Sequence, residues 1–229
     1  MRGVRSPIGV SLLWLLMCLG CGPSAVDSPN NVQERLDYRL YPYAQAVVAF
    51  NPGEDAGFGQ DLYPDIVLGP PRGFGPEQGS VDVLSLGSGG EIILDFYPRF
   101  IIDGEGADLS VFENVFWPNN ESENPWKELG EVSVSEDGVT WYTFSCVVES
   151  VYAGQWPGCA GWNPTYAYEP NIDFVDPQIS GGDLFDLEEL GLSLARYVKI
   201  RDLAEEGASP SAGFDLDAVG LIHFSYEIE

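Results

Sequence analysis

The apolar residues of this chain recur in twos. In "GGEIILDFYP" Ile92, Leu94 and Phe96 alternate with Glu91, Ile93 and Asp95, the period of a strand that lays one face on a core. "AQAVVAF" (44–50), "DVLSLG" (82–87) and "ARYVKIRD" (195–202) read as strands too. "ELGEVSVSEDGVTWYTFSC" predicts a hairpin: Val132 and Val134 lead into a turn at Glu136, Asp137 and Gly138, and the chain returns through Trp141 to Phe144. Only "GGDLFDLEELGL" looks helical, with Asp183 as its cap, Leu184, Leu187 and Leu190 on one face, and Gly191 as its stop. Glycine (27 residues) and proline (17) supply turns between such short runs, and no repeat of fixed period appears. The expected fold class is all-β, a single β-sandwich with one short helix, and 229 residues that are 45% apolar suffice for its core.

The first twenty residues, "MRGVRSPIGVSLLWLLMCLG", predict an export signal: Arg2 and Arg5 form a basic start, and Val10 to Leu19 is apolar but short for a membrane span. Its end, "CLGCGPS", resembles a bacterial lipoprotein signal in which Cys21 takes the lipid after cleavage. Gly22 resembles those that proceed to the outer membrane. Cys18 stands where Leu is usual, so a cleaved signal with plain secretion is the alternative. Residues 21–40, including the polar "GPSAVDSPNNVQERLD", read as a tether, and 41–229 as the domain. Two of the ten basic residues fall in the signal, leaving 8 against 36 acids, a net −28 that excludes nucleic acid as a partner and restricts membrane contact to the anchor. Cys146 and Cys159 then remain as a pair which, in an oxidising compartment, reads as a disulfide. His223 is the only histidine, and there is no Cys/His spacing of a zinc site.

"VSVSEDGVTW" followed much later by "ARYVKI" resembles the galactose-binding-like jelly rolls of the discoidin and carbohydrate-binding-module group. The ordered set "VLGPPRG", "SLGSGGEIILDF", "GEGADLSVFEN", "GGDLFDLEELGL" and "FDLDAV" looks like a family of exported bacterial cell-surface proteins, and spans most of the chain from Ala44 to Phe224. The first resemblance implies a jelly-roll-like sandwich. It also implies a structural calcium held by an acid near the last strand, here Asp217.

The residues themselves raise the same question. In "SPSAGFDLDAVGLIHF", Phe214, Leu216 and Ala218 define one face of a strand, which leaves Asp215 and Asp217 together on the other, about 6.6 Å apart. Val219 and Leu221 continue the face of the two acids, so it should be covered, and covered neighbouring carboxylates need a compensating cation. The bland alternative is a solvent-facing side on an acidic protein. In "GADLSVFENVF" Glu113 shares a face with Leu109, Val111 and Val115. It needs a metal, a β-bulge that turns it outward, or a pairing with Arg196 or Arg201. Asp108, after "DGEGA", and Asp55, in "NPGEDAGFG", are further calcium candidates in glycine-rich loops.

All five tryptophans beyond the signal lie between Trp117 and Trp162, several in loops such as "FWPNNESENPW" and "GQWPGCAGWNPTYAY". Loop aromatics beside Asn and Asp suit the stacking of sugar rings. Trp141 is expected in the core and Trp162 on the disulfide, leaving Trp117, Trp126 and Trp156 as candidate platform residues. No nucleophile with a histidine base and no phosphate loop is legible, and parallel acids on one strand cannot flank a glycosidic bond. The reading is therefore a non-catalytic, calcium-stabilised surface module that binds a glycan or other surface polymer. A structural or adhesive protein with a protein partner, and a polysaccharide hydrolase, are the alternatives.

Overall fold

The computed structural model describes residues 42–149, 152–166, 176–203 and 209–226. The signal, the tether and Cys21 lie outside the described residues. In chain order the strands are β1 (Ala46–Asn51), β2 (Leu84–Ser85), β3 (Glu91–Asp95), β4 (Phe100–Ile102), β5 (Leu109–Glu113), β6 (Gly130–Ser135), β7 (Tyr142–Thr143), β8 (Cys159–Ala160), β9 (Asp183–Phe185), β10 (Leu194–Ala195), β11 (Tyr197–Asp202), β12 (Asp215–Leu221) and β13 (Phe224–Ser225). One sheet runs β1-β3-β11-β6-β7 with β8 also on β6. A second runs β2-β12-β5-β9, and a small third runs β10-β4-β13. Every pairing is antiparallel, and apart from β6, β7 and β8, which follow one another in the first sheet, successive strands pass from sheet to sheet, so the chain forms an all-β sandwich rather than a meander.

Alternation decides which side of each strand is apolar, and register lines those sides up. Ile200 of β11 sits opposite Ile92 of β3 and Val132 of β6, while Val198 sits opposite Leu94 and Val134. This stripe and Leu84, Leu109, Val111, Phe185, Leu216, Val219 and Leu221 from the second sheet form one buried cluster. Each such side chain contributes roughly 1.5–3 kcal/mol by leaving water. Where alternation lapses, the register shifts: β1 slips against β3 between Val47 and Ala49, and the skipped Val48 is exposed.

The hairpin forms as expected, with Ser133 opposite Thr143 and Val134 opposite Tyr142. Trp141, expected in the core, is instead half-buried beneath the Lys199 ammonium, 4.5 Å from its ring centre. The expected helix is shorter. Asp183 belongs to β9, the cap is Asp186, whose carboxylate accepts from the Glu188 amide, and a single 3-10 turn, Leu187–Leu190, follows before Gly191 at φ 67°. Leu184 is exposed as a result, because it points from a strand and not from a helical face. Four further 3-10 turns complete the helical content of the described residues, none of which is long and apolar enough to cross a membrane.

Cys146 and Cys159 are joined, and Leu129, Trp156, Trp162 and Leu203 pack around them as a satellite core. Trp162 donates its indole N–H to the Cys159 carbonyl, so it rests on the disulfide as expected. Nearby, the buried Asp183 carboxylate accepts the amides of Gly161 and Trp162, at 2.6 and 3.1 Å. Burial pushes its pKa from 3.8 up to about 8 against the pull of those amides.

Two outcomes are expected. Replacing Cys146 and Cys159 together by Ser should lower stability by about 3 kcal/mol in denaturant titrations, the loop-closure entropy of a cross-link of this span. For Asp183 the native state keeps a proton that the unfolded chain has released above pH ~4, so its contribution is complete in acid and is lost as the pH rises towards 8. Asp183→Asn has no proton to lose. Its urea midpoint, measured from pH 4 to pH 8, should therefore gain on the parent's with rising pH.

Candidate functional site

Every residue of β12 is buried, and its two aspartates do not share surroundings. Against β5, Leu216 pairs with Glu113 and Ala218 with Phe112, so Asp217 is the extra residue of a β-bulge. The bulge moves the core-facing positions from Phe214 and Leu216 to Val219 and Leu221, all four of which lie in the main core. The expectation that Asp215 and Asp217 share a face with Val219 and Leu221 is thereby corrected, because one inserted residue changes the parity of the strand. The segment between β1 and β2 covers Asp217: its 3-10 turn Asp65–Val67 packs on β12, and its Arg72 amide reaches the carboxylate.

Asp217 receives the Arg72 backbone N–H on both oxygens, at 2.8 and 3.0 Å. Burial pushes its pKa well above the carboxylate range, with the Arg72 amide opposing. It stands outside both groups of three acids that gather among the described residues, so the donors around it do not fit the calcium site that the resemblance implies there. Asp55 is exposed in its turn at φ 59° and lies outside both groups as well.

One group is Asp103, Asp108 and Asp186. Asp108 is fully buried and engaged. One oxygen accepts the Gly104 amide and lies 2.9 Å from His223 Nδ1, and the other accepts the Leu187 amide. Through these contacts one carboxylate ties three segments together. His223, expected as a packed residue, is its partner.

The other group is Glu113, Glu128 and Asp215, each offering an oxygen within 4.8 Å of those of the other two. Glu113 closes β5, Asp215 opens β12, and Glu128 lies just ahead of β6 in the opposite sheet. Glu128 is held by its own backbone: Gly161, at φ +85°, approaches so closely that a Cβ there would run into the Glu128 carbonyl and the Phe214 ring. Glu113 is 1% exposed and Asp215 5%, with Glu128 half-buried. Glu113 Oε2 and Asp215 Oδ1 have no partner at hydrogen-bond geometry, although the Asn114 backbone amide and the Ser85 hydroxyl, which donates to the Ala212 carbonyl, stand close enough to draw the two pKa values down. Asp215 Oδ2 accepts the Asn114 amide at 3.0 Å, whereas Glu113 Oε1 has the Asp215 amide at only 3.4 Å. Burial, then mutual repulsion, pushes Glu113 well above its ordinary range and Glu128 to about 8, while burial also takes Asp215 to about 7. Asp202 adds repulsion to Glu128 and Asp215, but its own oxygens accept the Gly89 and Phe214 amides.

The arginines that could have paired with Glu113 are engaged elsewhere, Arg196 with Asp95 at 2.7 Å and Arg201 with Glu131 at 2.9 Å. Of the sequence candidates, then, Glu113 and Asp215 come together, while Asp217, Asp108 and Asp55 go separate ways. Glu128 was not singled out, and "KELGEV" gives no signal for it, since one acid ahead of a strand looks like any solvated loop residue.

The aromatics separate as clearly. Trp156, a platform candidate, is only 8% exposed: it packs on Leu129 and Cys159 with the Lys127 ammonium 4.5 Å above its ring, so the disulfide core claims it. Trp117 is half-buried, donating its amide to Pro76 and accepting that of Asn120. Trp126 is 58% exposed. Its ring stacks on Phe116 at 6.1 Å and 18°, and its amide donates to the Phe116 carbonyl.

No protein-family model and no curated protein matches the chain. Among solved structures it is similar to a CBM32 of AlyQ in complex with 4,5-unsaturated mannuronic acid, with 12% identity over 79% of this chain and 98% of that one and a TM-score of 0.35. It is also similar to the C-terminal domain of a chitobiase from Bacteroides fragilis, with 17% identity over 77% and 91% and a TM-score of 0.33. A glycoside hydrolase shares 12% identity over 58% of this chain and 19% of its own, so this chain spans about a fifth of its length, at a TM-score of 0.27. Likenesses at this distance leave the ligand to be read from the chain's own side chains.

Proposed function

We propose that this chain is a non-catalytic binding module of the cell envelope whose ligand is a glycan or similar hydroxyl-rich surface polymer. The observation that carries the reading is Trp126, the one tryptophan among the described residues that is mostly exposed. Its indole stacks on Phe116, and a backbone hydrogen bond to Phe116 fixes the main chain that carries it, so less rotamer entropy is lost when a ring stacks on its other face. The loop before it carries exposed Asn119, Asn120, Glu121, Glu123 and Asn124, whose amides and carboxylates suit sugar hydroxyls. The amino-terminal signal and Cys21 support an exported, lipid-anchored placement.

Binding is favoured over hydrolysis by where the acids are. In one group of carboxylates Glu113 and Asp215 are nine-tenths buried or more, which denies them to a polymer chain, and in the other Asp108 is buried and held by the Gly104 and Leu187 amides, leaving Asp103 and Asp186 as the acids a polymer could reach. Trp126→Ala should weaken binding to a glycan hit identified on an array by at least tenfold, about 1.4 kcal/mol, while shifting thermal stability little, because the ring is largely in water already. An array without hits, together with recovery of a protein partner that binds Trp126→Ala equally well, would replace the glycan by a protein. Release of reducing ends from a polysaccharide would overturn the non-catalytic reading.

A further inference from the structure

We propose that Glu113, Glu128 and Asp215 together hold a divalent cation of calcium's size and hardness, which fastens the two sheets of the sandwich at the end where β5 stops, β6 starts and β12 starts. Proximity of three acids would not suffice by itself. The decisive feature is that two of these carboxylates, Glu113 and Asp215, are almost wholly buried and each leaves one oxygen without a partner. A buried acceptor left unpaired costs about 1–3 kcal/mol, more when it is charged, and here two of them lie beside a third carboxylate. Among the other buried acids, Asp108, Asp202 and Asp217 accept backbone amides on both oxygens. Asp183 also leaves one oxygen without a partner, but it stands outside both groups of acids, with two amides on its other oxygen.

Among the described residues the basic side chains go elsewhere, Arg99 to Tyr226. Arg72, Arg196, Lys199 and Arg201 form their ion pairs with Asp82, Asp95, Glu91 and Glu131, and Lys127 lies over Trp156. The donor set is oxygen only, which selects a hard cation over zinc or copper. Size is compatible with calcium: oxygens at about 2.3–2.6 Å from one ion stand up to about 5 Å apart, so three oxygens within 4.8 Å of one another can share it. Because Glu128 comes from one sheet and Glu113 and Asp215 from the other, the ion would bridge layers that are joined here by apolar packing and by the hydrogen bonds of Asp202 to the Phe214 amide and of Asp183 to the Gly161 and Trp162 amides. The inference is independent of the sugar reading: the site stands whatever Trp126 binds.

The test uses the purified full chain, stripped with chelator and titrated with calcium chloride at constant ionic strength. One ion per chain is expected by calorimetry, together with a rise in melting temperature that magnesium at the same concentration does not reproduce. An equal response to magnesium would mean diffuse screening of the acidic surface and would overturn the site. Glu128→Gln and Asp215→Asn should each weaken calcium binding at least tenfold, and in chelator they should melt no lower than the parent, since each relieves repulsion. Asp103→Asn, in the other group of acids, should leave the affinity unchanged. Undiminished uptake by Glu128→Gln, or equal loss in Asp103→Asn, places the ion elsewhere. Should a variant fail to fold, parent crystals grown in calcium decide: an anomalous peak within ligand distance of all three carboxylates supports the site, and its absence refutes it.

Discussion

The sandwich depends on how β12 is covered on both faces. A seven-residue strand that is wholly buried while carrying two carboxylates must give each of them a partner, or the desolvation cost would exceed what its neighbours' apolar burial contributes. The bulge at Asp217 is what makes two different settlements possible. It places Asp217 where the Arg72 amide can meet both oxygens, and it returns Val219 and Leu221 to the core. Asp215, on the near side of the bulge, is left with Glu113 and Glu128.

What alternation controls was legible in the sequence, and what a single insertion controls was not. Ile92, Leu94 and Phe96 were assignable to the core because period two is local, and the hairpin around Asp137 because its turn is local. A bulge leaves no mark in a hydrophobic pattern that is apolar on both sides of it, as "FDLDAVGL" is, so placing Val219 and Leu221 on the face of Asp215 and Asp217 was a sound deduction from a wrong register. The disulfide was readable by elimination among four cysteines, whereas the burial of Trp156 follows from that disulfide's surroundings and from Lys127, neither of which a linear reading places. Glu113 was suspected because it broke an apolar face. Glu128 broke nothing, and only the crossing from one sheet to the other brings it to Glu113.

The helix around Leu187 shows the same limit at smaller scale. Asp183 and Asp186 are both capping residues by type, and both precede apolar residues at helical spacing. The pairing of Asp183 with Val111 is a β-ladder contact with a distant strand, and it outweighs a cap on a turn too short to be stable alone. Asp186 then caps the remaining single turn, and Asp108 fixes its start through the Leu187 amide.

The arrangement also connects the acid cluster to the exposed ring. Glu113 and Glu128 bracket the segment that carries Phe116, Trp117 and Trp126, so both ends of the proposed binding loop enter the same cluster. A loop tethered only by its flanking strands retains most of the entropy of its length, whereas one whose two ends share an ion is closed at its base before any ligand arrives. Within the closed base, the Phe116–Trp126 bridge and stack need to order only the tip. Preorganisation of this kind lowers the entropy lost on binding without adding a contact to the ligand. If the proposed ion is held there, the buried acids would act in the proposed recognition from inside the molecule, without touching the ligand.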